Sequence, residues 1–106
     1  MFVAINYITC KENYRERFEA LFATRARAID SMPGFRHMQV LKPDDASGDY
    51  LVISHWDSEK HFRKWNNSPT FLEGHRRGFA DISEARKKGQ EPPMKSVFKT
   101  YTLLTP

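Results

Sequence analysis

Three residues far apart in the sequence have side chains suited to chemistry: Asn6, Trp65 and His75. His75 lies four residues after Phe71 and four before Phe79, so on a helix all three share one apolar face. An inward imidazole is a hydrogen-bonded core residue, a general base, or a ligand to a metal or to heme iron. No second histidine or carboxylate stands three or four positions away, so the spacing gives no support for a zinc site. A lone axial ligand to heme iron needs no such neighbour.

Asn6 places an amide in the middle of an apolar strand face. Either the amide bonds to nearby backbone, or it points as a hydrogen-bond donor into a pocket, because an unpaired buried amide is costly. Trp65 on a short helix is by itself typical of plain core. Arg25 falls on a helical stripe with Phe22, and it either extends to the rim or places a cation at a pocket mouth.

The composition limits the classes of protein. The 106 residues suit one domain, 1–106, and the net charge of +4 fits an anionic ligand without selecting one. The single cysteine, Cys10, indicates a reducing compartment and a buried strand residue. We find no signal peptide and no apolar run near the roughly 18–20 residues that span a bilayer. We therefore expect a cytoplasmic protein with neither nucleic-acid nor membrane partners.

The hydrophobic periodicity predicts four strands and two helical regions. The predicted strands are 2–10, 35–42, 50–56 and 97–104. The first helical region is one helix from Asn13 to about Ser31. The second region is broken into three helices: a short one capped by Asp57 or Ser58, one starting at Ser68-Pro69, and a short last one at 81–88, opened by "DISE" and ended by Gly89. No nucleophile elbow, spaced carboxylate pair or glycine-rich phosphate loop is present.

The order β-α-β-β-α-β predicts an α+β fold of the ferredoxin-like, split β-α-β type. Helices would cover only one face of such a sheet, yet its strands are apolar on both faces. In the first strand, for example, Val3, Ile5 and Tyr7 oppose Phe2 and Ala4. An apolar face of that size is expected to be covered. We therefore predict a symmetric homodimer, packed sheet against sheet.

The chain resembles the antibiotic biosynthesis monooxygenase superfamily, and within it the small heme-degrading monooxygenases of the IsdG type. The resemblance extends over nearly the whole length. It is carried by the segments "AINYIT", "FATRARAIDSMPGF", "VISHWDSEKHFRKW" and "NSPTFLEGHR". The combination of Asn6, Trp65 and His75 at these strand and helix positions is its most specific part.

The resemblance implies a dimeric α+β barrel with one heme per subunit, heme being both substrate and cofactor. His75 would be the axial ligand to the heme iron, Asn6 a donor on the side where O2 binds, and Trp65 a residue that presses on the porphyrin. Phe22 would line the pocket, and Arg25 would lie near the porphyrin. Electrons would come from an external donor such as a reductase, since no flavin or nicotinamide fingerprint is present.

Three alternatives remain open from the sequence. The first is a cofactor-free monooxygenase of the same superfamily that oxidises a quinol or polyketide. The second is a heme carrier or sensor without turnover, although such a protein needs no distal donor like Asn6. The third is a dimeric module without enzymatic activity, in which His75 is a core residue. The arginines that follow the histidine, Arg76 and Arg77, would suit heme propionates on charge alone.

Overall fold

The computed structural model describes residues 1–106 and contains one antiparallel sheet with helices on one of its faces. Four strands form the sheet: β1 (Phe2–Cys10), β2 (Phe35–Leu41), β3 (Tyr50–Trp56) and β4 (Met94–Thr102). Three helices accompany them: α1 (Arg15–Ala23), α2 (Glu59–Asn66) and α3 (Pro69–Lys87). The strand order is β2-β3-β1-β4. The predicted α+β, ferredoxin-like architecture is therefore confirmed.

Both α2 and α3 are capped at their N-termini by serine side chains. Ser58 Oγ accepts from the His61 N–H, and Ser68 Oγ accepts from the Phe71 N–H, each at 3.3 Å. Pro69 occupies the first helical position, where no backbone donor is needed. The start of the helix that carries His75 was correctly predicted for this reason.

The first helix is much shorter than the predicted 13–31. Asn13 does not cap it, and α1 ends at Ala23, where Thr24 donates its hydroxyl to the Ala20 carbonyl at 2.7 Å. Arg27 then adopts a left-handed conformation with φ of 62°, which an α-helix cannot accommodate. A separate 3₁₀ turn, Ala28–Ser31, places Ile29 in the core. The apolar stripe therefore belongs to two elements rather than one.

The end of the chain also differs from the prediction. The "DISE" sequence is not a new helix start, because α3 continues through it to Lys87. The Asp81 carboxylate accepts from the Tyr14 hydroxyl at 2.6 Å instead of capping a helix. β4 begins at Met94, opposite Cys10, and ends at Thr102, so the predicted strand 97–104 was shifted by a few residues.

The core lies between the helices and one face of the sheet, in two clusters. Cluster one is made of Phe2, Ala4, Ile29, Trp56 and Phe62. Cluster two is made of Ile8, Tyr14, Phe18 and Tyr50. No helix covers the opposite face of the sheet, which we call the outer face; it is formed by Val3, Ile5, Tyr7, Leu51, Ile53, Val97, Tyr101 and their neighbours. No helix of the chain is long and apolar enough to cross a membrane.

Candidate active site

The imidazole of His75 is held in a fixed orientation by its own helix. Its Nδ1 lies 2.7 Å from the Phe71 carbonyl oxygen, so Nδ1–H is the donor and Nε2 carries the free lone pair. The rings of Phe71 and Phe79 both stack near it, with centroids 4.0 and 5.5 Å away. The side chain is only half-buried. One ring nitrogen is thus anchored, and the other is available to a ligand.

Trp65 joins this histidine to the core. Its ring centroid lies 6.0 Å from that of His75 and 5.0 Å from that of Phe71. On its other side it packs 5.4 Å from Trp56, which is fully buried. The structure therefore brings two of the three predicted residues into one aromatic cluster, with Trp56 fixing the position of Trp65.

Asn6 lies on the helix-facing side of the central strand β1. In the sheet register it stands between Val52 and Phe98, and the Phe98 ring stacks 5.5 Å from Phe62. Its side chain is half-buried and makes no hydrogen bond within the chain, so the backbone-bonded alternative is not what the structure shows. The amide is thus free to donate to a ligand between the sheet and the helices.

Phe22 lies in the last turn of α1, and Arg25 follows that helix. Phe22 packs 5.0 Å from Phe18 and contacts cluster two, as does Val52, the strand partner of Asn6. The Arg25 side chain forms no ion pair and lies along a groove that includes Met38. Phe22 is therefore placed on cluster two, whereas Arg25 lies towards β2.

Two sets of polar contacts join α1 to α3. In the first, the Asp81 carboxylate accepts from Tyr14 at 2.6 Å and from Arg17 Nε at 3.0 Å. Burial raises the pKa of Asp81, but the hydrogen bonds from Arg17 and Tyr14 outweigh it and keep that pKa below its usual value. Burial, and then the bond to Asp81, raise the pKa of the Tyr14 hydroxyl. Asp81 therefore acts as an ionised acceptor that links the two helices.

The second set involves Arg77, two residues after the histidine. Its guanidinium donates to Thr24 Oγ1 at 2.8 Å and to the Leu21 carbonyl at 3.0 Å, both at the end of α1. Arg76 instead pairs with Glu73 on its own helix at 2.6 Å. Both arginines are thus engaged within the chain, and their suitability for propionates on charge stays a prediction.

Other groups with possible chemistry lie outside this region. Burial raises the pKa of the Cys10 thiol to about 11, so this cysteine is a protonated strand residue rather than a nucleophile. No group of three or more histidine, cysteine, aspartate or glutamate side chains is placed to hold a metal ion. The stacked imidazoles of His37 and His55, 4.0 Å apart, lie on the outer face of the sheet.

Sequence reasoning missed the supporting residues. Trp56 was predicted only as a strand residue. The alternation along β3 puts it on the helix-facing side of the sheet together with Ser54, and this is the signal that could have identified it as a support for Trp65. No local signal identifies Arg77 as a contact between helices. Gly74, a costly residue beside the histidine, has no steric explanation, since a Cβ there would meet no atom within 4 Å.

Comparison with known proteins identifies the family. The family model described as "Antibiotic biosynthesis monooxygenase" matches residues 1–77. The chain belongs to this family. A heme oxygenase (mycobilin-producing) of Mycobacterium tuberculosis is 37% identical over 76 residues, covering 70% of this chain and 72% of the relative. A heme oxygenase (staphylobilin-producing) of Staphylococcus epidermidis is also 37% identical, over 78 residues, covering 72% of this chain and 74% of the relative.

Solved structures agree with the fold. The heme-degrader MhuD of M. tuberculosis, with two hemes bound in its active site, superposes with a TM-score of 0.72 and 25% identity, covering 100% of this chain and 98% of that one. SnoaB, a cofactor-independent oxygenase of Streptomyces nogalater, has a TM-score of 0.69 and 21% identity, covering 99% and 94%. The fold is thus shared by proteins with and without a cofactor, and the side chains of the site have to distinguish them.

Proposed function

We propose that this family member is a heme-degrading monooxygenase that opens the porphyrin ring and releases iron. The observation that carries the proposal is the imidazole of His75, anchored through Nδ1 to the Phe71 carbonyl at 2.7 Å with Nε2 free beside an aromatic cluster. The relatives named as heme oxygenases point to the same chemistry. A cofactor-free oxygenase has no need for an anchored ligand of this kind.

The residues present fit a heme. Neutral imidazole nitrogen is an established axial ligand to heme iron, and Nε2 of His75 is available for it. Trp65 and Phe71 supply apolar aromatic surface beside His75, which suits a porphyrin. Asn6 faces the helices from the sheet with an amide that has no partner in the chain. Aromatic walls, one ligand nitrogen and one free donor together match a planar iron-containing ligand.

Each side chain has a distinct task in this mechanism. His75 holds the iron through Nε2, while the Phe71 carbonyl fixes the ring orientation and tautomer. Trp65, backed by the buried Trp56, would press on the bound porphyrin. Asn6 would offer its amide as a hydrogen-bond donor to oxygen at the bound heme, where such a donor favours negative charge. When bound, the heme supplies both the redox centre and the carbon that is oxidised.

Phe22 and Arg25 would form the rest of the pocket. Phe22 adds an apolar wall between cluster two and the ligand. Arg25 has an uncommitted guanidinium, which suits a carboxylate of the ligand. The electrons are proposed to come from a separate reductase, since the chain carries no flavin or nicotinamide fingerprint.

The chain is also proposed to act as a homodimer through the outer face of its sheet. On that face Leu41, Val97 and Tyr101 have exposed fractions of 45%, 58% and 44%. An apolar surface of this kind is typical of an interface with another protein. Light scattering of the purified protein should give twice the subunit mass. Ile53→Lys on this face should give monomers, whereas Leu72→Lys, at an exposed apolar position on α3, should leave the mass unchanged.

The test of the function is a visible-absorption titration of the apoprotein with hemin, followed by a reductant in air. A saturating Soret band at one heme per subunit, which decays on reduction while iron reaches a chelator, supports the enzyme. A stable band that survives reduction points to a carrier or sensor. Absence of any band refutes the heme proposal and makes aromatic quinols the next substrates to test.

A further inference from the structure

The helix that carries His75 is attached to the molecule in an unusual way. No side chain of α3 is fully buried, whereas α1 buries Phe18 to 2% exposure and α2 buries Phe62 to 5%. Apolar burial therefore fixes α1 and α2 much more firmly than α3. Contacts of another kind have to determine where α3, and with it His75, lies relative to α1.

Arg77 provides such a contact at the end of α1. The last carbonyls of a helix have no partner within it. In α1 the Ala20 carbonyl accepts from the backbone and hydroxyl of Thr24, at 3.1 and 2.7 Å. The Leu21 carbonyl is satisfied by Arg77 Nη2, and Thr24 Oγ1 accepts from Arg77 Nη1. A guanidinium from α3 thus caps α1, and its charge also complements the helix dipole there.

Arg77 and Asp81 lie four residues apart, so they share the face of α3 that looks towards α1. Both contact α1 through hydrogen bonds: Asp81 to Tyr14, and Arg77 to Leu21 and Thr24. The histidine lies only two residues before Arg77, on a different face. A shift of α3 along or away from α1 would therefore move the imidazole by a similar amount.

We propose that Arg77 is a positioning residue that, through Thr24 and the Leu21 carbonyl, sets the separation of α3 from the end of α1. That separation also determines how far His75 on α3 lies from Phe22, the residue that follows Leu21 in α1. The inference rests on the proposed function, because heme is taken to bind between these two side chains. Arg77 acts through α1 and makes no contact with the ligand.

The chain offers a matched set of variants. Arg77→Ala removes both hydrogen bonds to the end of α1. Thr24→Val removes the acceptor of one of them and leaves the arginine and its charge in place. Arg76→Ala is the control, since it removes an arginine from the same helix that is 74% exposed and bonds only to Glu73. Arg77→Lys keeps the charge but loses the two-point geometry of the guanidinium.

The first measurement uses the protein without heme. Hydrogen exchange of α3 amides should accelerate about three- to tenfold in Arg77→Ala, by a smaller factor in Thr24→Val, and not in Arg76→Ala. If the exchange rates of α3 amides are unchanged in Arg77→Ala and Thr24→Val, Arg77 does not position α3 and the inference is overturned. This measurement stands whether or not the protein binds heme, so failure of the proposed function is recognised separately.

The second measurement is the hemin dissociation constant and the Soret maximum of each variant. Arg77→Ala should bind about three- to tenfold more weakly with a shifted band, and Thr24→Val should change both in the same direction. Arg77→Lys should restore affinity only in part. Wild-type values in Thr24→Val and Arg77→Lys, with loss only in Arg77→Ala, would show that Arg77 acts by its charge on the ligand and overturn the inference. Faster exchange with unchanged hemin binding would overturn it too.

Discussion

Two polar side chains on the helix-facing side of the sheet differ in whether they have a partner. Ser54 Oγ accepts from the buried Trp56 Nε1 at 3.0 Å, whereas the Asn6 amide makes no hydrogen bond within the chain. A half-buried amide in an apolar strand that bonds to nothing in the chain lowers stability relative to an apolar residue. We therefore expect Asn6 to be a position where the fold and the activity have opposite preferences.

Asn6→Val should stabilise the protein and inactivate it. Valine suits a strand between Val52 and Phe98, and strand preferences span about 1 kcal/mol, so the free energy of unfolding should rise by about 0.5–1 kcal/mol. For a chain of this size that corresponds to a melting temperature higher by about 2–8 °C. Loss of a donor to developing charge should reduce heme turnover by about 100-fold, with hemin still bound.

Urea unfolding of the apoprotein and single-turnover heme decay measure these two effects. Ser54→Ala is the control for a partnered group, since it leaves the Trp56 N–H unbonded in the core and should lower the free energy of unfolding by about 1–3 kcal/mol. Asn6→Ala removes the amide without introducing the branched side chain of valine, so it separates these two effects of Asn6→Val. The Asn6→Ala protein should bind hemin without degrading it. A destabilised Asn6→Val would show that the amide has a structural partner, and normal heme decay in Asn6→Ala would disprove its assigned role.

Three further predictions concern the aromatic cluster and the outer face. His75→Ala should lose the saturable Soret band and all heme decay; retention of a normal band in the titration would mean that another residue holds the iron. Trp65→Phe should keep hemin binding, lower the free energy of unfolding by about 1–2 kcal/mol and change the visible spectrum of the complex; an identical spectrum would remove Trp65 from contact with the porphyrin. Burial, and then the neighbouring His37, lower the pKa of His55, so the stability from neutral His55 is full above its unfolded pKa of about 6.5 and is lost as pH falls below it. Urea unfolding between about pH 7.5 and about pH 5 should show this loss, and the loss should be smaller in His55→Gln. If the free energy of unfolding falls equally with pH in the two proteins, His55 is not its source.

Much of the sheet follows from local patterns in the sequence. The alternation of β1 and the capping serines before α2 and α3 specify those elements through contacts within a few residues. The same reasoning correctly puts Asn6 and His75 on inward faces, because the periods of a strand and a helix determine which residues share a side. These parts of the site needed no knowledge of tertiary structure.

The errors arose where distant contacts override local signals. The apolar stripe predicted for the first helix includes Ile29, but Thr24 and the left-handed Arg27 end the helix before that residue is reached. "DISE" has the spacing of a capping box, yet Asp81 bonds to Tyr14, which lies 67 positions away in the sequence. Arg77 resembles any exposed helical arginine. A single sequence does not reveal that α1 supplies its partners.

The packing of Trp65 on Trp56 has a practical consequence for optical spectroscopy. The chain contains only two tryptophans, and both belong to the cluster that contacts His75. All of the indole emission therefore originates next to the proposed ligand. Binding of an iron porphyrin there should quench nearly the whole of the intrinsic fluorescence, so occupancy of the pocket can be followed without any label, even at concentrations too low for absorption measurements.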